Sequence, residues 1–234
     1  MIGAVLPVYN EEAIIGAVIK CFQPFVDKFI VLISETPWYG NPEPPDRTEE
    51  ICRSLDVDII KGNWSQYHLQ RNRGTELCSD CDLVLTIDSD ELMLPQDVEK
   101  LIKFAEKSSA RAIGVLPDVY WKDLNHIFSP KTTFQPIMAI RPEVRFWDCR
   151  NVNCSYEVCD ADMHHLAWCD LRDMKRKSVS WGHANLYSKE QGEQWYQYYL
   201  NWKEGDKAMD LFGNVSDLAI KPLPKELRDK LGVV

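Results

Sequence analysis

The 234-residue sequence predicts an α/β fold in which a mostly parallel sheet is flanked by helices. Two observations carry that reading. Short apolar runs of strand length recur between Ile2 and Leu116, separated by segments of helical periodicity or composition. The chain also turns polar or acidic where it leaves three of these runs, and parallel sheets collect their ligands at that carboxyl edge.

The elements follow in order. Ile2 to Val8 is the first run; Pro7-Val8-Tyr9-Asn10-Glu11-Glu12 carries it over the rim into a helix expected over Glu11 to Phe22. Phe29 to Ile33 is the second and ends in Ser34-Glu35-Thr36. Pro37, Gly40, Pro42, Pro44 and Pro45 then form a long loop, because neither helix nor strand tolerates that density of breakers. A helix over Arg47 to Leu55, a strand over Val57 to Ile60 and a helix over Tyr67 to Cys78 come next. Leu83 to Ile87 is the fourth strand and delivers Asp88-Ser89-Asp90-Glu91; Pro95 is placed to open a helix over Gln96 to Lys107. Ala112 to Leu116 is the fifth strand, and the alternation implies right-handed parallel crossovers. Beyond Tyr120 the pattern loosens. Phe134 to Ile140 and Ser178 to Trp181 read as strands, Lys189 to Trp202 as a helix, and the stretch from Gly205 with Pro222 and Pro224 as an extended tail lying on the domain.

Composition bounds the function. With 45% hydrophobic and 11% aromatic residues the chain can bury a full core, so disorder and a disulfide mini-scaffold are excluded. Lys and Arg total 27 against 36 Asp and Glu, a net charge of −9, which disfavours a broad nucleic-acid-binding surface. Met1-Ile2-Gly3-Ala4-Val5-Leu6-Pro7 has no basic leader and too short an apolar run for a signal or membrane span, so a cytoplasmic location is expected. In that compartment the eight cysteines read as free thiols. Cys78-Ser79-Asp80-Cys81 precedes a strand, the reverse of a redox pair at a helix N-terminus. Cys149, Cys154, Cys159 and Cys169, with His164 and His165 among them, could build a tetrahedral zinc site, but their spacing matches no zinc signature and buried thiols are the simpler reading.

The rim carries the chemistry. No G-x-G-x-x-G and no G-x-x-x-x-G-K-[ST] follows the first strand, so backbone N–H groups are not arranged to cradle phosphates. Asp88-Ser89-Asp90 supplies another route: two carboxylates at a strand end can hold Mg²⁺ or Mn²⁺, whose open positions take a diphosphate.

Three motifs in order, Leu6-Pro7-Val8-Tyr9-Asn10-Glu11-Glu12, Arg71-Asn72-Arg73-Gly74 and Leu85-Thr86-Ile87-Asp88-Ser89-Asp90-Glu91, resemble those of the family 2 nucleotide-sugar glycosyltransferases of GT-A type. The resemblance implies a GT-A (Rossmann-like) mixed sheet. It divides the chain into a donor-binding half (1–116), an acceptor-side half of the same domain (117–204) and a C-terminal tail (205–234). It also implies a metal-dependent enzyme that moves a sugar, a hexose by preference, from a nucleoside diphosphate donor, UDP-sugar favoured, to an acceptor hydroxyl with inversion. Position by position, Pro7, Tyr9, Glu11, Glu35, Arg71, Asp88 and Ser89 would line the nucleotide site. Asp88 and Asp90 would meet Mn²⁺ or Mg²⁺, joined by His165 or His183. Ser34-Glu35-Thr36 departs from the D-D-G-S-like run common in the family, which leaves the base open.

An inverting reaction needs a carboxylate to take the acceptor proton. Glu157, where relatives often carry V-H-E, is the first choice, with Asp160 and Asp162 as rivals. Trp195, Tyr196, Tyr198, Tyr199 and Trp202 are a core-packing helix or an acceptor platform. The acceptor could be a glycan, a lipid-linked sugar, a small molecule or a modified DNA base; the last requires a local basic patch, for which Lys175, Arg176 and Lys177 are the place to look. Two other readings are a nucleotidyltransferase, which usually shows a Gly- and Lys-containing loop after the first strand, and a non-catalytic nucleotide- or sugar-binding or zinc-stapled module.

Overall fold

The structure is a computed structural model and describes residues 1–171, 173–180 and 183–233. Its elements run β1 (Ile2–Val8), α1 (Ile15–Phe22), β2 (Lys28–Ser34), α2 (Thr48–Ser54), β3 (Asp58–Gly62), α3 (Tyr67–Leu77), β4 (Leu83–Thr86), β5 (Glu91–Leu92), α4 (Pro95–Lys107) and β6 (Ala112–Lys122). Then follow β7 (His126–Ser129), β8 (Ile137–Ile140), β9 (Phe146–Asp148), β10 (Asn151–Val152), β11 (Glu157–Cys169), α5 (Met174–Ser180), α6 (Lys189–Asn201), β12 (Ala208–Met209), β13 (Val215–Ile220) and α7 (Lys225–Leu231).

The main sheet has the order β12-β13-β7-β6-β8-β4-β1-β2-β3, with β11 beside β6 and β5 beside β11. β4, β1, β2 and β3 are mutually parallel, and β8 enters antiparallel between β4 and β6. The fold is therefore the mixed, mostly parallel α/β sheet expected. Buried on both faces, β1 and β2 are near-continuous apolar runs, as central parallel strands must be.

Helix α3 lies so close to this sheet that only glycine fits at position 74. A Cβ there would stand 2.3 Å from Val5 Cγ1 and 2.6 Å from Leu32 Cδ1. Gly74→Ala is expected to destabilise the protein by about 1–3 kcal/mol through overpacking, read as a lower denaturant midpoint at unchanged slope.

The C-terminal half departs from the sequence reading in several places, the short strands β7, β9, β10 and β12 among them. β11 was not anticipated, although it runs thirteen residues and pairs in parallel with β6 from Glu157 opposite Ile113 to Cys169 opposite Lys122. Ser178, Val179 and Ser180, expected in a strand that continues to Trp181, end helix α5; Trp181 lies outside the described residues. The segment after Gly205 is no extended tail. β13 pairs antiparallel with β7, and Leu223 and Leu227 of the α7 region are fully buried. Lys221 further ties this segment to buried Asp118 of β6. The proposed donor–acceptor division at residue 116 falls inside β6, one continuous strand.

The aromatic helix α6 packs inward. Trp195 and Tyr199 are 2% and 1% exposed, stack at 5.2 Å, and meet Trp121 and Trp168. All eight cysteines are free thiols. Cys159 and Cys169 stand at opposite ends of β11, and no group of three or more His, Cys, Asp or Glu able to hold a metal occurs among the described residues, so the zinc staple falls. Burial pushes the Cys78 thiol up to about 12, the opposite of a reactive cysteine.

Candidate active site

At the carboxyl edge of β1 and β4 a cavity of about 510 Å³ opens. Its floor is the turn Asp88-Ser89-Asp90; Glu11 and Trp38 form the wall from the first two strands, and Tyr67 stands at the N-terminus of α3. Gln70, fully buried, holds this wall: its Nε2 donates to the carbonyls of Leu32 (2.6 Å) and Val8 (3.3 Å), and its Oε1 accepts from Trp38 Nε1 (2.8 Å). Tyr67 then meets Trp38 edge to face at 4.6 Å.

Asp88 is fixed by cations from beneath. Its Oδ1 accepts from Arg71 Nη2, from Tyr67 Oη and from Arg150 Nη1 (3.2 Å). Arg150 also donates through Nη1 to the Thr86 carbonyl (3.0 Å) and through Nη2 to both Glu91 carboxylate oxygens (2.8 and 2.9 Å). Glu91 in turn accepts from the Asp88 backbone N–H (2.8 Å). Burial pushes the Asp88 carboxyl up, but Arg150 and Arg71 outweigh it and hold it at about 2. Glu91 moves the other way, raised by burial and by the Asp88 charge although Arg150 opposes both.

Asp90, 6% exposed, has separate partners. His165 Nε2 is 3.3 Å from its Oδ1 and Lys177 Nζ is 3.4 Å from its Oδ2. β11 sets this geometry: its Leu166 N–H donates to the Asp90 carbonyl (2.8 Å), and His165 pairs with Glu91 across β5. Strand alternation sends neighbouring His164 to the other face, where its Nδ1 lies 3.1 Å from Tyr120 Oη in the core. His183 lines the same cavity, with its Nδ1 3.7 Å from Cys149 Sγ.

The predicted nucleotide-site residues thus divide. Glu11, Asp88 and Ser89 line the cavity, and Tyr9 lines a small pocket that shares Glu11, Trp38 and Lys177 with it. Pro7 is buried within β1, Glu35 is exposed and bonded to Asn63 (3.4 Å), and Arg71 is fully buried, so none of the three lines the cavity. Arg71 acts through Asp88 instead. Arg150 and Trp38 were missed, and Lys177 was singled out only as part of a possible basic patch; Arg150 sits within the cysteine-rich stretch, which drew attention to its thiols rather than its charge.

The proposed bases do not reach the site. Glu157 begins β11 and accepts from Ser108 Oγ (2.9 Å), while Asp160 is paired with Lys100 (2.9 Å) on the surface. Eight residues of strand, about 26 Å, separate Glu157 from His165. Asp162 is exposed and takes the Lys131 ammonium at 3.7 Å, outside the lining. Glu157→Gln and Asp160→Asn are each expected to change donor turnover by less than about twofold, measured as nucleotide release; a hundredfold loss in either would restore it as a base. The basic patch also dissolves: Lys177 turns to Asp90, and Arg176 donates to the Asn10 carbonyl (2.5 Å) with its guanidinium 3.6 Å from Glu11.

The donor set suits a hard divalent ion that shares its shell with a ligand. Asp90 Oδ1 and His165 Nε2 offer an oxygen and a nitrogen 3.3 Å from each other. Magnesium-type sites commonly use one or two protein ligands and complete the shell with phosphate and water. Asp88 has only Oδ2 to offer, because two guanidiniums and a phenol already occupy Oδ1.

The model of glycosyl transferase family 2 matches residues 4–163. No curated protein sequence matches the chain. Among solved structures, glucosyl-3-phosphoglycerate synthase from Mycobacterium tuberculosis with Mn²⁺, UDP and phosphoglyceric acid matches at a TM-score of 0.56 and 16% identity, over 96% of this chain and 87% of that one. The same synthase with Mn²⁺, UDP-glucose and phosphoglyceric acid matches at 0.55 and 15%, over 96% and 88%. A further mycobacterial protein matches at 0.52 and 16%, over 96% and 84%. At these identities the likeness is one of fold.

Proposed function

The chain belongs to glycosyl transferase family 2, and from that premise we propose that it transfers a hexose from a nucleoside diphosphate sugar, UDP-sugar favoured, in a reaction that depends on Mn²⁺ or Mg²⁺. The observation that carries the reading is the cavity itself, with Asp90 and His165 together on its floor at the end of β4. Asp90 and His165 would hold the cation, with His183 available from the same cavity. When bound, such an ion neutralises charge on a departing diphosphate, the largest charge change in the reaction.

The chain's own groups do the rest. Arg71 and Arg150 hold Asp88 ionised and fixed through Oδ1, which leaves Oδ2 to orient the donor without rearrangement. Trp38 and Tyr67 offer aromatic faces to the nucleoside. The cavity is also lined by Val119, Phe128, Phe134, Trp168 and Phe212, which supports an acceptor hydroxyl presented against largely aromatic surface, as on a sugar ring or an apolar small molecule. The test is a donor panel: UDP- and GDP-sugars are incubated with the protein and Mn²⁺, and nucleotide release is followed with and without chelator. Release from a UDP-hexose that falls at least about a hundredfold on chelation is expected. Equal release with and without chelator would sink the metal dependence, and no release or binding of any nucleotide sugar would sink the transferase reading.

A further inference from the structure

The carboxylates at the floor of the cavity already have cationic partners. Among the described residues, the carboxylates Asp88, Asp90 and Glu91 face the cations Arg71, Arg150 and Lys177. The two arginines are occupied with Asp88 and Glu91, and the Lys177 ammonium stands at Asp90. Lys177 is 8% exposed, donates to the Ala167 carbonyl and lies 4.5 Å over the Trp168 ring. It reaches the site from α5, a different element from the strand that carries His165. A divalent ion entering at Asp90 would meet this ammonium at close range, and two cations on one buried carboxylate repel strongly.

Resting on the metal dependence proposed above, we propose that Lys177 is a positioning residue that occupies the cation position at Asp90 in the donor-free enzyme and turns to the diphosphate when metal and nucleotide arrive together. A diphosphate brings the negative charge that both the metal and the released ammonium need. The two ligands therefore bind with positive coupling, and metal alone binds poorly. Lys177 suits the exchange because an ammonium on a flexible stem can swing between carboxylate and phosphate, which a rigid bidentate guanidinium does less readily. By linkage, the factor by which UDP tightens Mn²⁺ equals the factor by which Mn²⁺ tightens UDP.

The experiment measures Mn²⁺ affinity from the paramagnetic resonance signal of free Mn²⁺, with and without UDP, for the full chain and for Lys177→Met and Lys177→Gln. Thermal melting establishes that the variants are folded, and two chemically different replacements guard against the loss of one. The wild type is expected to bind Mn²⁺ at least about tenfold more tightly with UDP than without. Both variants are expected to bind Mn²⁺ alone more tightly than wild type, and the tightening by UDP should shrink to about threefold or less. Wild-type coupling retained in a folded variant overturns the role of Lys177 while leaving the metal site intact. Absence of Mn²⁺ binding in all three proteins, with UDP present, overturns the metal dependence itself and Lys177's role with it.

Discussion

Asp90→Asn should lower kcat/KM for the nucleotide-sugar donor by at least about a thousandfold, the scale expected when a group that holds transition-state charge is neutralised. The substitution keeps the shape of the side chain and removes only its charge. In the structure that charge faces His165 on one oxygen and Lys177 on the other. With asparagine the two partners lose the anion that draws them together, and a divalent ion loses its anionic ligand. Nucleotide release measured on the folded variant reads the effect. A loss of less than about tenfold would mean that Asp90 is a structural ion-pair partner rather than the centre of the site.

Arg150→Met should produce the largest loss of stability, about 3–5 kcal/mol, because it strips the shared counter-ion from two buried carboxylates. Arg150 is 5% exposed and Glu91 1%, so water cannot take the place of the guanidinium. Glu91 gives the effect a pH dependence. Burial raises its folded-state pKa to about 7 from an ordinary 4.5 even with Arg150 beside it. A carboxyl raised on folding binds more protons in the native state between those values, so its contribution is fully present below pH 4.5 and lost as pH rises through the folded pKa. Loss of Arg150 pushes that pKa further up. The variant and the wild type should therefore differ least near pH 5 and most near pH 8 in denaturant unfolding. A pH-independent difference would show that Glu91 does not titrate with folding.

The first half of the molecule was legible because its physics is local. β1, β2 and β4 are apolar runs that need both faces covered, and their polar exits named the rim correctly. Asp88 and Asp90 could be found from that alone. The second half was harder because its signals are ambiguous. In β11, Cys159, Ala161 and Met163 point inward and Asp160 and Asp162 outward. That is the two-residue period of a half-buried strand, yet the same residues read as a cluster of ligands and acids when the period is overlooked. Asp160 and Asp162 are the solvent face of this strand, and Glu157 is its exposed first residue.

Arg150 and Lys177 illustrate a second limit. Nothing local marks Arg150, and the Lys175-Arg176-Lys177 run does not say where Lys177 points; each becomes part of the site because a distant element is folded against the end of β4. Arg150 follows the β9 strand, which Asn72 of α3 pins through paired hydrogen bonds with Phe146 (2.8 and 2.9 Å). Lys177 arrives on α5, packed beside α6 and its buried aromatic residues. Carboxylates at a strand end are visible in sequence. The cations that neutralise them come from tertiary structure, and they decide how much charge is left for a ligand.

The most direct test is the anomalous scattering of Mn²⁺ in crystals grown with UDP. The account predicts one Mn²⁺ bonded to an Asp90 carboxylate oxygen and to diphosphate oxygens, with the uracil end toward Trp38 and Tyr67. A Mn²⁺ peak away from Asp90, or UDP bound in the cavity with no metal between its phosphates and that residue, would contradict it.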